Sequence, residues 1–272
     1  AASDVYKRQI ILLVITIALM PLLAFTTYFK IADVWLLLAS FFLRIFALTG
    51  GYHRYFSHKS FKTSRIFQFI LAYICTTAMQ GGPLWWASHH RHHHMHSDQK
   101  GDHHSPKLLG FWHSHMFWFL YKKNLKAPYE LIKDFAKYPE LRFLERYWYL
   151  APLPFIFALW LFDGWNAIVW GFFVPAFLVN HATYCINSVT HIFGNRRYNT
   201  KDTSRNNIFT ALLTFGEGWH NNHHRYSGSV RQGFTWYEID ITFYILKFLS
   251  LFGIVYDLKK IPLEILKEGK IK

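Results

Sequence analysis

The sequence predicts an all-α integral membrane protein: a four-helix bundle crossing the bilayer, with a cytosolic helical cap that holds a histidine-rich di-metal site. Three observations predict it. Four nearly uncharged apolar runs come in two pairs, each joined by a short turn. The Lys and Arg residues gather in the two long segments that follow the pairs. All 17 histidines lie between His53 and His224, many in spaced groups near the ends of the apolar runs.

The first run, IILLVITIALMPLLAFTTYF, covers residues 10–29. At about 1.5 Å per residue, roughly twenty residues match the hydrocarbon thickness, and Pro21 is tolerable inside such a helix. The run is too long for the h-region of a cleavable signal and lacks an obvious cleavage site. Before it, AASDVYKRQ reads as a polar tail. A break at residues 30–33 leads to the second run, 34–50, which carries Arg44 fairly deep. Long basic side chains near helix ends can snorkel to the interface.

Residues 66–87 are apolar again, but Gln80, Gly81, Gly82 and Pro83 interrupt them. This stretch reads either as another span or as a helix lying on the membrane face. Residues 97–146 are polar and read as water-exposed. The third and fourth spans, 148–162 and 165–187, are joined by a tight turn at Asp163 and Gly164. The rest is mostly polar, with one amphipathic stretch, ITFYILKFLSLFGIVYDL. Without an internal repeat or a low-complexity linker, residues 1–272 read as one domain whose cap is built from 51–147 and 191–272.

Charge sets the topology. The two short turns carry only Lys30, Asp33 and Asp163, whereas the long segments carry most of the basic residues. The positive-inside rule then places both termini and both long segments in the cytoplasm. Four spans satisfy this, whereas five would send one histidine group to the opposite side.

Composition narrows the function. The chain is 52% hydrophobic and 20% aromatic with a mean hydropathy of +0.07, which suits a few spans plus a sizeable aqueous part. Its formal charge of +14 suggests a partner or surface of opposite sign. The basic residues are scattered and no recognition motif appears, so nucleic acid is not the expected partner. Cys75 and Cys185 stand in apolar surroundings and form no disulfide framework or cysteine metal site.

The histidines carry the chemistry. HRYFSH supplies His53 and His58, HHRHHHMH supplies six rings at 89–96, NSVTH supplies Asn187 and His191, and HNNHH supplies His220, His223 and His224. On a helix, residues i, i+3 and i+4 share a face. His90, His93 and His94 repeat the H-x-x-H-H spacing of His220, His223 and His224. Neutral imidazole suits iron, zinc, copper or nickel. Each face offers two or three ligands, so a site is completed only where the groups meet, over the cytoplasmic end of the bundle. About nine imidazoles exceed what one metal takes and imply two. His115 and His181, each outside a box, read as surface histidines rather than ligands.

The chain resembles the membrane fatty-acid desaturases of the stearoyl-CoA desaturase type, especially their short bacterial members. The resemblance runs from about Thr49 to Ile261 and rests on GGYHRYFSHKSF, WWASHHRHHHMHSDQKGDHHSP, GFWHSHMFW, NSVTHIFGNRRY, DTSRNN and GEGWHNNHHRYSGSVRQGF. It implies four transmembrane helices, with residues 66–87 on the membrane face, and a multi-pass protein of a bacterial inner membrane. It also implies a cytosolic di-iron centre. Carried over by motif, the iron ligands are His53, His58, His90, His93, His94, His191, His220, His223 and His224, with Asn187 acting through water. His89, His92 and His96 are not ligands under this alignment.

The implied reaction is insertion of a cis double bond into a saturated acyl chain, with O2 as co-substrate and an acyl-CoA Δ9 reaction as the expected form. An unactivated methylene has no acidic proton, so an oxidant generated by the metals must remove hydrogen. The chain has no G-x-G-x-x-G and too few cysteines for a cluster, so electrons come from a separate donor, a ferredoxin-like protein or a small b-type cytochrome. A basic face would steer an acidic donor. Where acyl-CoA members place a head-group arginine before the second box, this chain has Ser88. Lys122 and Lys123 stand near a basic pair of the family and are candidates for head-group contact, as are Gln80 and Trp86. An acyl-carrier-protein thioester or a glycerolipid acyl chain stays open as carrier. A di-iron alkane or fatty-acid hydroxylase and a histidine-rich metal transporter are the competing readings.

Overall fold

A computed structural model describes residues 20–268 of the chain. The polar tail and the first half of the first expected span lie outside the described residues. Residues Met20–Thr26 form a 3-10 turn leading to α1, Ile31–Ser57. This helix is longer at both ends than the span expected at 34–50. Asp33 sits in its first turn, where Oδ2 accepts the main-chain N–H of Lys30 at 2.7 Å. At its far end it runs on as a π-helix over Ala47–Ser57, carrying His53 within the helix.

The apolar stretch at 66–87 divides. Helix α2, Arg65–Thr76, begins where the Ser64 hydroxyl accepts the Phe67 N–H, and its 12 residues fall short of the roughly 20 needed to cross a bilayer. The chain then turns through Met79 and Gly81, both at positive φ, and starts α3, Pro83–His96. Residues 97–146 are not a water-exposed strip. Asp98, Asp102, His104, Ser105 and His115 are buried, because this segment folds against the histidine helices. It ends in α4, Pro139–Arg146.

Helix α5, Leu153–Ile168, is broken at Asp163 and Gly164 as the Asp-Gly pair predicts; Gly164 takes φ 57°, which favours glycine. A π-helical turn, Val169–Phe173, leads into α6, Val174–Ser188, and a 3-10 turn ends at His191. By length and composition, two helical stretches among the described residues are apolar enough to cross a membrane: Ile31–Ser57 and Leu153–His191. The break at Asp163 divides the second into two arms. Lys30 and Asp163 form an ion pair at 2.8 Å, and Asn166 donates to Asp33 and Asp163. The two expected turns therefore lie side by side, at the opposite end of α1 from the histidines.

Arg44 does not snorkel. It is fully buried, its Nη1 donates to the Phe172 carbonyl at 2.8 Å, and its guanidinium lies over the rings of Phe172 and Phe155. Cys75 and Cys185 are free thiols, and Cys75 is buried against the Ala47 carbonyl.

The rest of the cap comprises α7 (Ile208–Leu213), α8 (His220–Arg225), α9 (Ile241–Leu251) and α10 (Leu263–Glu268). The amphipathic stretch at 241–258 is helical only to Leu251. It turns at Gly253 into strand β2, Val255–Tyr256, which pairs antiparallel with β1, Lys62–Thr63. The main core joins the π-helical end of α1 to α2, α3, α4 and α9 through buried residues such as Phe56, Leu71, Leu84, Leu141 and Leu246. It fixes the second and first histidine boxes relative to each other.

Candidate metal centre

Spacing brings the first box together in an unexpected way. His53 and His58 are five apart, which does not suit the face of an α-helix. The π-helix bonds i to i+5, and the His58 N–H donates to the His53 carbonyl at 3.2 Å. Both rings thus reach one cluster. That cluster is His53, His58, His90, His94 and His223; a second is His93, His191, His220 and His224. Within each, the nitrogens lie within 4.8 Å of one another.

The two H-x-x-H-H helices share the clusters reciprocally. Helix α3 sends His90 and His94 to the first and His93 to the second, while α8 sends His220 and His224 to the second and His223 to the first. The sequence spacing placed each triplet on one face, and that face straddles two sites.

The nitrogens suit cations. Four Nε2 pairs in the first cluster stand 2.9–3.1 Å apart: His58–His90, His90–His94, His94–His223 and His223–His53. Each ring nitrogen has either one N–H or one lone pair in the ring plane, yet Nε2 of His90, His94 and His223 each stands in two of these contacts, so they cannot all be full hydrogen bonds. Nitrogens at right angles about 2.0–2.1 Å from one ion stand roughly 3 Å apart. In the second cluster His191 and His220 approach at 3.1 Å, and His224 Nε2 is buried with no hydrogen-bond partner. Burial pushes His58, His90, His94, His220 and His223 far below the usual histidine range and His224 down to about 4. At neutral pH these rings are uncharged and offer lone pairs.

Four carboxylates set the rings. Nδ1 of His93 donates to Asp102, Nδ1 of His191 to Asp98, and Nδ1 of His224 to Asp202, at 3.0, 3.0 and 2.9 Å. Nδ1 of His53 contacts Glu217. Each contact leaves Nε2 as the free lone pair, as in metal sites generally. Burial opposes the charge of these acids, but the facing imidazoles and hydrogen bonds hold Asp98, Asp102 and Asp202 below the usual carboxylate range. Glu217 is held down by His53 and Arg54 against the same penalty. Arg54 is buried and also binds Asp240 and the Val230 carbonyl. Sequence reasoning assigned none of these acids a role. The available signal was proximity: Asp98 and Asp102 follow the second box, and Glu217 precedes the last by three residues.

The remaining candidates scatter. Asn187 is half-buried on α6, four residues before His191. Trp86 stacks on His90 at 5.2 Å, and its Nε1 donates to Gln80, whose amide donates to Thr183. Lys122 and Lys123 are exposed on a short 3-10 turn. Ser88 is fully buried, its hydroxyl bonded to the Trp85 carbonyl, so it presents nothing to a head group. His89 pairs with His103 and with the Lys126 carbonyl, and His92 stacks between His96 and His103. His115 bonds His181 and Ser188, away from both clusters.

The sequence matches the family model described as fatty acid desaturase over residues 30–256, a range that holds both clusters. It is 42% identical over 226 residues to an acyl-CoA C20 Delta5-desaturase of Anemone leveillei, covering 82% of this chain and 72% of that protein. It is 39% identical over 213 residues to an sn-1 stearoyl-lipid 9-desaturase of Anabaena variabilis, covering 78% of each. Delta-9 acyl-lipid desaturase 2 of Arabidopsis thaliana is 37% identical over 240 residues, 87% of this chain and 78% of that protein. Matched over most of its length, with its two imidazole clusters inside the matched range, the chain belongs to the fatty acid desaturase family.

Proposed function

We propose that the chain is an oxygen-dependent desaturase that inserts a cis double bond at the Δ9 position of a saturated acyl chain, with acyl-CoA as the expected carrier. The observation that carries this is the pair of imidazole clusters in a member of the desaturase family. Two iron ions would be held by His53, His58, His90, His94 and His223 on one side and by His93, His191, His220 and His224 on the other, with Asn187 reaching one through water. Bound iron supplies the oxygen activation that an unactivated methylene demands.

The chain's own residues do the rest. Glu217, Asp98, Asp102 and Asp202 fix four rings with Nε2 turned inward. Trp86, stacked on His90 of the first cluster, and Gln80, which accepts its Nε1–H, would meet the substrate near its reacting carbons. Lys122 and Lys123 would meet a phosphorylated head group, since Ser88 cannot. An acidic ferredoxin-like protein or b-type cytochrome would deliver electrons to the basic face.

Four spans with both termini in the cytoplasm of a bacterial inner membrane fit the chain. Support comes from the Lys30–Asp163 pair, which joins the two turns far from the histidines.

The test is expression in cells lacking their own desaturase, followed by mass spectrometry of fatty acids and their carriers. Loss of two hydrogens between carbons 9 and 10 supports the proposal. A gained oxygen makes the protein a hydroxylase, and an unchanged profile in cells that make iron-loaded protein refutes desaturation. The carrier on which the new double bond first appears separates CoA from glycerolipid.

A further inference from the structure

Helix α3 brings three rings of the second box to both clusters, yet it lacks an N-terminal cap of its own. Its cap position is Gly82, which has no side chain, and Pro83 opens the helix without an N–H. The next two main-chain N–H groups, of Leu84 and Trp85, donate to one atom from another helix, Oε2 of Glu145 on α4, at 2.9 and 3.0 Å. A side-chain oxygen placed this way replaces the missing cap.

Two further facts tie Glu145 to this position. A Cβ on Gly82 would lie 2.2 Å from Oε2 and 2.8 Å from the Glu145 main chain, so only glycine admits the carboxylate. Among the groups that shift Glu145 there is no cation: burial pushes the carboxyl up to about 7, and only the two α3 N–H groups pull it back. The positive end of the helix dipole is its counter-charge. The preceding turn is held too, by the Tyr52 hydroxyl on the Gly81 carbonyl.

We propose that Glu145 is a positioning residue for both metal sites: by capping α3 from α4, it fixes the rotation and axial placement of His90, His93 and His94. This rests on the reading that the nine histidines hold metal. Without the cap, metal binding must itself order the start of α3, and the cost appears in metal affinity.

The experiment compares wild type, Glu145→Ala, Glu145→Leu, Glu145→Gln and Leu159→Ala in detergent, each reconstituted anaerobically with Fe2+. Iron affinity is measured by chelator competition and fold by circular dichroism and thermal unfolding. Leu159, buried in a separate core on α5, reports stability alone. Glu145→Ala should weaken iron binding roughly five- to tenfold, as loss of a cap predicts. Glu145→Gln keeps an acceptor oxygen but not the charge and should lose about two- to fivefold. Leu159→Ala should melt earlier yet bind iron as wild type does.

Equal iron affinity in Glu145→Ala and Leu159→Ala overturns the proposal. Should Glu145→Ala not fold, Glu145→Leu, which keeps the bulk without an acceptor, decides: a wild-type affinity overturns the proposal and a loss supports it. Wild type that binds no iron would instead defeat the metal reading itself.

Discussion

Asp98→Ala tests how far the acids beside the clusters act on the metals. Asp98 is buried, with φ at 56°, and its Oδ2 accepts His191 Nδ1 at 3.0 Å, the Thr203 N–H at 2.7 Å and the Thr203 hydroxyl at 2.6 Å. Oδ1 accepts the Ser105 hydroxyl. The two hydroxyls can rotate to other partners. The Thr203 N–H and the imidazole N–H cannot, and each buried unpaired donor costs about 1–3 kcal/mol. Admitted water recovers part of this, which leaves a destabilisation of about 3 kcal/mol. The freed His191 ring then turns or changes tautomer, which should cost roughly 10- to 100-fold in metal affinity. Thermal unfolding of the apo protein reads the first effect, and chelator competition for Fe2+ reads the second. A variant that melts early but binds iron within twofold of wild type would refute the view that Asp98 acts through His191.

Three further predictions follow from the same geometry. His223→Ala, which removes a ring bridging His53 and His94, should abolish desaturation, whereas His92→Ala, in the outer stack with His96 and His103, should largely spare it; equal losses would refute the division of the second box. Arg54→Met strands the buried Glu217 and Asp240 carboxylates without their cation and should cost about 3–5 kcal/mol in thermal unfolding, with a loss below about 1 kcal/mol refuting it. Burial lowers His89, His103 and His224 to about 4, so the unfolded chain takes up their protons first as pH falls below the ordinary histidine value. Stability of the apo protein should therefore decline from about pH 7 toward pH 4. A melting temperature that stays flat between pH 7 and 5 would contradict this.

The chemistry was legible where it follows helical period. H-x-x-H-H at 90–94 and 220–224 announces helices with clustered rings, and both form. Asp163–Gly164 and the Gly-Pro pair at 82–83 announce breaks, because positive φ and a missing N–H interrupt helices wherever they occur. Other features depend on partners distant in sequence. His53 and His58 meet only because Ala47–Ser57 is π-helical, and no residue type in that stretch declares it. Arg44 turns inward because the Phe172 carbonyl is available to it, 128 residues away. The acids are unreadable for the same reason: Asp98 and His191 lie 93 residues apart.

The crossed supply of rings has an outcome for loading. Since α3 and α8 each serve both positions, filling one position pulls on the helices that build the other. The first ion prepares the place of the second, and occupancy should rise steeply rather than in two independent steps. In a cell short of metal, such an arrangement favours a mixture of fully charged and empty chains over a population of half-filled ones.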